Sequence, residues 1–142
     1  MIVIRGLRGS GKTSELASIS RSTGYPILTC SYGSRDYIRQ RFMANAIAFD
    51  ELKKLRYDRV LVDEPEAIIK IPAFQKMVEK RDEDQVYDSI LNGVTIHAIT
   101  INMIGFDTEH VGLIKTVYSF DMDGAVPIGK LDFLLSYIKN NI

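Results

Sequence analysis

The run Gly6-Leu7-Arg8-Gly9-Ser10-Gly11-Lys12-Thr13 constrains the chain more than any other stretch, because of where it falls. Ile2, Val3 and Ile4 form a short β-branched stretch that stops at Gly6, and Lys12 to Ser22 reads as a helix with Leu16 and Ile19 inward and Gly24 just past its end. A glycine-rich loop between a strand and a helix thus fits G-x-x-x-x-G-K-[ST] at every defined position. Gly6, Gly9 and Gly11 let the backbone turn successive N–H groups inward around an anion, and the helix N-terminus behind them adds partial positive charge. The expected nucleotide contacts are Gly6, Arg8, Gly9, Ser10, Gly11, Lys12, Thr13 and Ser14. Lys12 is expected to neutralise the β- and γ-phosphates of ATP and the Thr13 hydroxyl to ligate Mg²⁺. The competing dinucleotide pattern G-x-G-x-x-G fails, since Gly9-Ser10-Gly11-Lys12-Thr13-Ser14 lacks the third glycine.

The rest of the chain alternates strands with helices. Pro26 to Cys30 reads as a second strand, followed by a turn and a helix over Arg35–Ala44 with Ser34 as its cap. Ala46–Phe49 is a candidate small strand and Asp50–Leu55 a short helix. Arg59 to Glu64 (RVLVDE) is an uninterrupted buried-strand pattern ending in two acids. Pro65 to about Leu91 is mostly helical with a break at Pro72, and Asn92-Gly93 ends it. Val94–Met103 and Lys115–Asp121 are the fourth and fifth strands, with Asp123-Gly124 a turn. Pro127–Asn140 is a terminal helix whose apolar face is Leu131, Phe133, Leu134, Tyr137 and Ile138. The pattern predicts one α/β domain over residues 1–142, a three-layer fold with a mainly parallel five-stranded sheet and helices on both faces.

The strand-terminal acids supply the partner that the glycine-rich loop needs. Asp63 stands where a carboxylate holds Mg²⁺ across from Thr13, and Glu64 beside it can polarise an attacking water or hydroxyl. The expected metal ligands are therefore Thr13 and Asp63, and the expected catalytic residues Glu64 and Lys12.

Composition excludes several alternatives. The 18 basic and 18 acidic side chains cancel, which argues against a uniformly basic nucleic-acid surface. A single cysteine, Cys30, closes no intramolecular disulfide and leaves no cysteine-rich zinc framework, which favours a reducing cytoplasm. Neither a secretory leader nor an apolar run of the roughly 20 residues a membrane span needs is visible. His97 and His110 have no second ligand at metal-binding spacing, and Asp121-x-Asp123-Gly124 lacks the rest of a calcium loop.

GLRGSGKT and RVLVDE together resemble the P-loop NTPases, and more narrowly the RecA-like and AAA-like branch with an additional strand and a catalytic glutamate after the Walker-B aspartate. That resemblance covers roughly residues 1 to 105 and implies ATP and Mg²⁺ as ligands and hydrolysis as the reaction. It also implies that VTIHAITINM lies between the loop strand and the Asp63 strand, with Thr100 or Asn102 as a sensor of the γ-phosphate. Short phage and prophage ATPases with an RGSGKT-type loop are similar in the shape of the chain, which implies host cytoplasm; a link to DNA metabolism is what the RecA-like resemblance implies. Thymidine kinases are similar in SGKTSEL and in a later Asp-Glu, which keeps a P-loop nucleoside kinase open as an alternative. The chain departs from that family in lacking its zinc cysteines and in reading Pro65-Glu66 after Asp63-Glu64. A nucleotide-gated assembly or binding module is the third alternative.

Several arginines invite partner readings. Arg35, Arg39 and Arg41, interleaved with Tyr37 and Phe42, are candidate contacts for nucleic acid, set against a solvated amphipathic helix. A homo-oligomer is a possible partner state, because a bare core exposes its nucleotide. In such an assembly an arginine such as Arg81, or Arg8, is a candidate to complete a neighbour's site.

Overall fold

The structure, a computed structural model, describes residues 1–54, 57–81, 93–103, 114–117 and 126–141. Seven strands are assigned among these residues: β1 (Ile2–Gly6), β2 (Ile27–Thr29), β3 (Ala46–Ala48), β4 (Arg59–Val62), β5 (Thr95–Asn102), β6 (Ile114–Val117) and β7 (Val126–Pro127). They form one sheet in the order β3-β2-β4-β5-β1-β6, with β7 paired to β5. The pairs among β1 to β5 are parallel, while β6 on β1 and β7 on β5 are antiparallel. The helices are α1 (Lys12–Thr23), α2 (Tyr32–Phe42), α3 (Pro65–Ile69), α4 (Pro72–Glu79) and α5 (Leu131–Asn141). The α/β class and the mostly parallel sheet agree with the sequence expectation; the strand count is higher than the five expected.

Alternation along each strand sorts the core into two layers. Val3, Leu28, Ile47, Val60 and Val62 join one cluster with Ile68, Phe74, Leu131, Leu134, Leu135 and Ile138 from α3, α4 and α5. Ile4, Ile27, Ala46 and Leu61 join the other with Leu16, Ala17 and Ile38 from α1 and α2. Helices therefore cover both faces, the arrangement a parallel sheet requires because neither face can meet water. Phe74 is fully buried and meets Phe49 edge-on at 5.9 Å. Its truncation to alanine would cost about 3–5 kcal/mol.

β5 occupies the position expected of VTIHAITINM, between β1 and β4. Its register against β4 slips, with Val60 opposite Ile96 but Leu61 opposite Ala98, so His97 is an extra residue on β5. A bulge of this kind changes which face later residues take. Val94 and Ile96 lie in the α3–α5 cluster, and beyond the slip it is Ile99 and Ile101 that do so. Thr100 and Asn102 are thereby turned to the α1 and α2 side, toward the ends of β1 and β4. His97 itself is half-buried and meets Tyr25 edge-on at 5.0 Å. Burial first, then the charge of Arg59, holds its pKa below the usual histidine value.

Four expectations need correction. The second helix begins at Tyr32, three residues ahead of the expected Arg35; Ser31 is its cap, accepting a 3.1 Å hydrogen bond from the Ser34 N–H. The short helix after β3 is a 3-10 turn over Phe49–Lys53. Pro72 breaks the helical stretch from Pro65 as expected, whereas the terminal α-helix begins at Leu131 and not at Pro127, behind a 3-10 turn over Ile128–Lys130. On α5, Leu135 is buried, whereas Phe133 and Tyr137 are 56% and 52% exposed. The expected helix beyond residue 81, His110, the Asp121–Gly124 turn and the end of the fifth strand lie outside the described residues.

Candidate functional site

The carboxyl ends of β1, β4 and β5 converge on a cavity of about 540 Å³. Open α/β sheets hold ligands at such ends, because the loops that leave the strands gather there. One side is the loop 6–13. Gly9 and Gly11 have φ of 78° and 97°, backbone conformations that side chains with a Cβ rarely adopt, and Gly11 leads directly into α1. Gly6 ends β1 without a positive φ, so its permissiveness is not used there. Arg8, Gly9, Gly11, Lys12, Thr13 and Ser14 line the cavity; Gly6 and Ser10 build the loop without lining it.

Lys12 is half-buried, and its Nζ donates to the Leu7 carbonyl at 2.7 Å. Desolvation is the largest influence on it and lowers its pKa, against the opposing pull of Asp63, Glu64 and Glu66. The ammonium is thus held over the loop it belongs to, short of full hydration, where an anion would gain from it.

Asp63 follows β4 and is only 7% exposed. The Thr13 hydroxyl donates to its Oδ2 at 3.0 Å, and the Thr100 hydroxyl donates to its Oδ1 at 2.9 Å. Burial pushes its pKa up; these two hydrogen bonds, the Glu64 N–H and Lys12 oppose that shift without cancelling it. An under-compensated carboxylate of this kind gains from a further cation. Among the described residues no group of three or more His, Cys, Asp or Glu is placed to cage a metal. A metal bound here would take Thr13 and Asp63 as its protein oxygens and fill its other positions with water and ligand, the habit of Mg²⁺ rather than of zinc.

Glu64 stands in the left-handed region, with φ 50° and ψ 61°, just before Pro65. Its N–H donates to Thr100 Oγ1 at 3.1 Å, so one buried hydroxyl braces both acids. The Glu64 side chain is exposed and lines the cavity. Residues held in this region cluster at functional sites, where the strain fixes a side chain's direction.

Of the two expected sensors, Thr100 lies beneath the acids without lining the cavity, whereas Asn102 does line it. Glu66 and Ala67 of α3 also line it and had no sequence signal beyond following the acid pair. On α2 the arginines divide. Arg35 pairs with Glu51 at 2.8 Å and Arg39 donates to the Ala46 carbonyl, while Arg41 lines the cavity with Tyr37 and Phe42. The three candidate nucleic-acid contacts thus fall in different places, Arg35 and Arg39 paired within the chain and Arg41 on the cavity. Arg81 is bound within its own chain: its guanidinium meets Asp132 through two contacts at 2.9 and 3.1 Å and lies 3.9 Å over the Phe133 ring. That commitment accounts for Arg81 structurally. Among the described residues no helix is long and apolar enough to cross a membrane.

Comparison of the chain with protein-family models, with curated proteins and with solved structures finds no match.

Proposed function

We propose that this chain binds a nucleoside triphosphate with Mg²⁺ and hydrolyses it, as a minimal P-loop ATPase of the RecA-like kind. One observation carries the reading: residues fifty positions apart, Thr13 and Asp63, meet through a hydrogen bond beside Lys12 and Glu64 on one cavity. The triphosphate would lie in the curve of loop 6–13, its charge met by backbone N–H groups, the α1 N-terminus and Lys12. Thr13, through its hydroxyl oxygen, and Asp63 would hold Mg²⁺, whose charge would relieve the buried carboxylate. Glu64, exposed into the cavity beside that pair, would orient and polarise the attacking water. Asn102, which pairs with Gly6 at the end of β5 and lines the cavity, would sense the terminal phosphate.

Coupling of turnover to nucleic acid, a phage or prophage setting in the host cytoplasm and assembly with further copies belong to the same proposal. They are supported by the resemblance of GLRGSGKT and RVLVDE alone.

Direct binding tests the reading. Titration of the protein with ATP and Mg²⁺ should show saturable binding that Lys12→Ala weakens by at least about a hundredfold, since a charge-assisted contact in a partly desolvated site is lost. Equal affinity in the wild type and Lys12→Ala would remove the loop from the site.

A further inference from the structure

The cavity has a second wall that the triphosphate reading leaves unused. Tyr37, Arg41 and Phe42 of α2 line it. Helical spacing puts Tyr37 and Arg41, at i and i+4, on one face. Tyr37 is 59% exposed, and its ring is backed edge-on by Phe42 at 6.0 Å. A tyrosine so placed offers an aromatic face to a planar ligand, at little cost in side-chain entropy.

Arg41 differs from the other arginines near it. Arg21 donates to the Phe42 carbonyl, Arg35 to Glu51 and Asp36, and Arg39 to the Ala46 carbonyl. Arg41 makes no hydrogen bond or ion pair among the described residues. A guanidinium left uncommitted beside an aromatic pair, on the rim of a cavity, matches a ligand that joins a planar ring to an anionic group.

Position says which ligand. Tyr37 also lines a smaller cavity of about 230 Å³ together with Thr13, Asp63 and Glu64. On the reading above, on which this inference rests, the terminal phosphate lies at Thr13 and Asp63. The α2 wall is then next to the end of the triphosphate that carries no base, so the nucleotide's own base is not what it meets. We propose that Tyr37, Arg41 and Phe42 form a subsite for a second ligand, a phosphorylated nucleoside. Its base stacks on Tyr37 and its phosphate pairs with Arg41, beside Glu64. A free mononucleotide and the end of a nucleic-acid strand share that chemistry.

The test is a two-step calorimetric titration of the full chain. The first step adds a non-hydrolysable ATP analogue with Mg²⁺. The second, at saturating analogue, adds adenosine monophosphate, thymidine monophosphate or a 5′-phosphorylated oligothymidylate in separate arms. At least one arm should show one-to-one binding that Tyr37→Ala and Arg41→Ala each weaken by about tenfold or more, with the analogue's own affinity kept within about twofold. Preference for the free mononucleotides or for the oligonucleotide identifies the source. Both side chains are exposed, so unchanged melting curves would show that the variants are folded.

No analogue binding in the first step would overturn the triphosphate reading and this inference with it. Analogue binding with heat in none of the second arms would overturn the inference alone. So would second-ligand binding indifferent to both substitutions, or a loss of tenfold or more in the analogue's own affinity, which would give the wall to its base.

Discussion

The Thr13 hydroxyl donates to Asp63 Oδ2 at 3.0 Å, tying the first turn of α1 to the end of β4 on the wall of the cavity. This bond joins the loop to the acid pair, so the two halves of the site stand within reach of one bound group. The buried carboxylate at its centre decides how the site responds to charge.

Asp63→Asn therefore separates stability from binding. Burial raises the Asp63 pKa above 3.8 in the folded chain, so the folded state binds this proton more tightly than the unfolded state does. The contribution of Asp63 is greatest at low pH and falls as pH rises from about 3.8 through the raised folded value. Above the raised folded value the ionised group weighs against the fold, and there the amide should raise the melting temperature of the ligand-free chain. The same variant should lose all stabilisation by ATP with Mg²⁺. Thermal melts with and without ligand check both signs; a lower ligand-free melting temperature would show that the carboxylate is not under-compensated.

Thr100→Val keeps the buried volume of β5 and removes the hydroxyl that serves both Asp63 and the Glu64 N–H. Leaving two buried polar groups short of a partner should cost about 1–3 kcal/mol. Turnover should fall more than nucleotide affinity does, because the brace holds the acids rather than the phosphates, and Thr100→Ser should restore both. Denaturant unfolding together with a comparison of kcat against KM makes the check.

Glu64→Gly should stabilise the chain slightly and abolish turnover. A non-glycine residue in the left-handed region costs about 1–2 kcal/mol, which glycine avoids. Its greater freedom in the unfolded chain takes back part of that gain. Urea unfolding of this variant should give a midpoint at or above that of the wild type; a clearly lower midpoint would mean that the side chain itself supports the fold.

His97 sets an acid limit. Its folded pKa lies below 6.5, so the unfolded chain binds the proton more readily. Stability should then fall as pH drops through about 6.5 and below, and His97→Phe, which keeps a ring against Tyr25, should remove that part of the slope. Melting temperatures from pH 7 to 5 for the two proteins check the difference.

Much of this was legible in the residues. RVLV could only be a strand buried on both faces, and GLRGSGKT had to leave β1 and enter α1, so Thr13 and Asp63 were expected to meet. The bulge was present in VTIHAITIN as a change of parity, apolar residues at 94, 96 and 98 giving way to 99 and 101, but only the register on β4 says which face Thr100 takes. On α2, spacing showed that Arg35 and Arg39 share a face and that Tyr37 and Arg41 share another. It did not show which pair meets Glu51 and Ala46 and which meets the cavity, because that depends on the tertiary packing of a helix whose apolar residues are few. Phe133 and Tyr137 looked like core by hydrophobicity, yet Leu131, Leu134, Leu135 and Ile138 complete the buried stripe of α5 without them.

Phosphate release from ATP with Mg²⁺, alone and with single- or double-stranded DNA, measured on the wild type and Glu64→Gln side by side, decides whether the cavity hydrolyses a nucleotide. The wild type should turn over, and Glu64→Gln should lose at least about a hundredfold in rate with ATP affinity retained. Hydrolysis by Glu64→Gln at the wild-type rate would contradict the role given to Glu64.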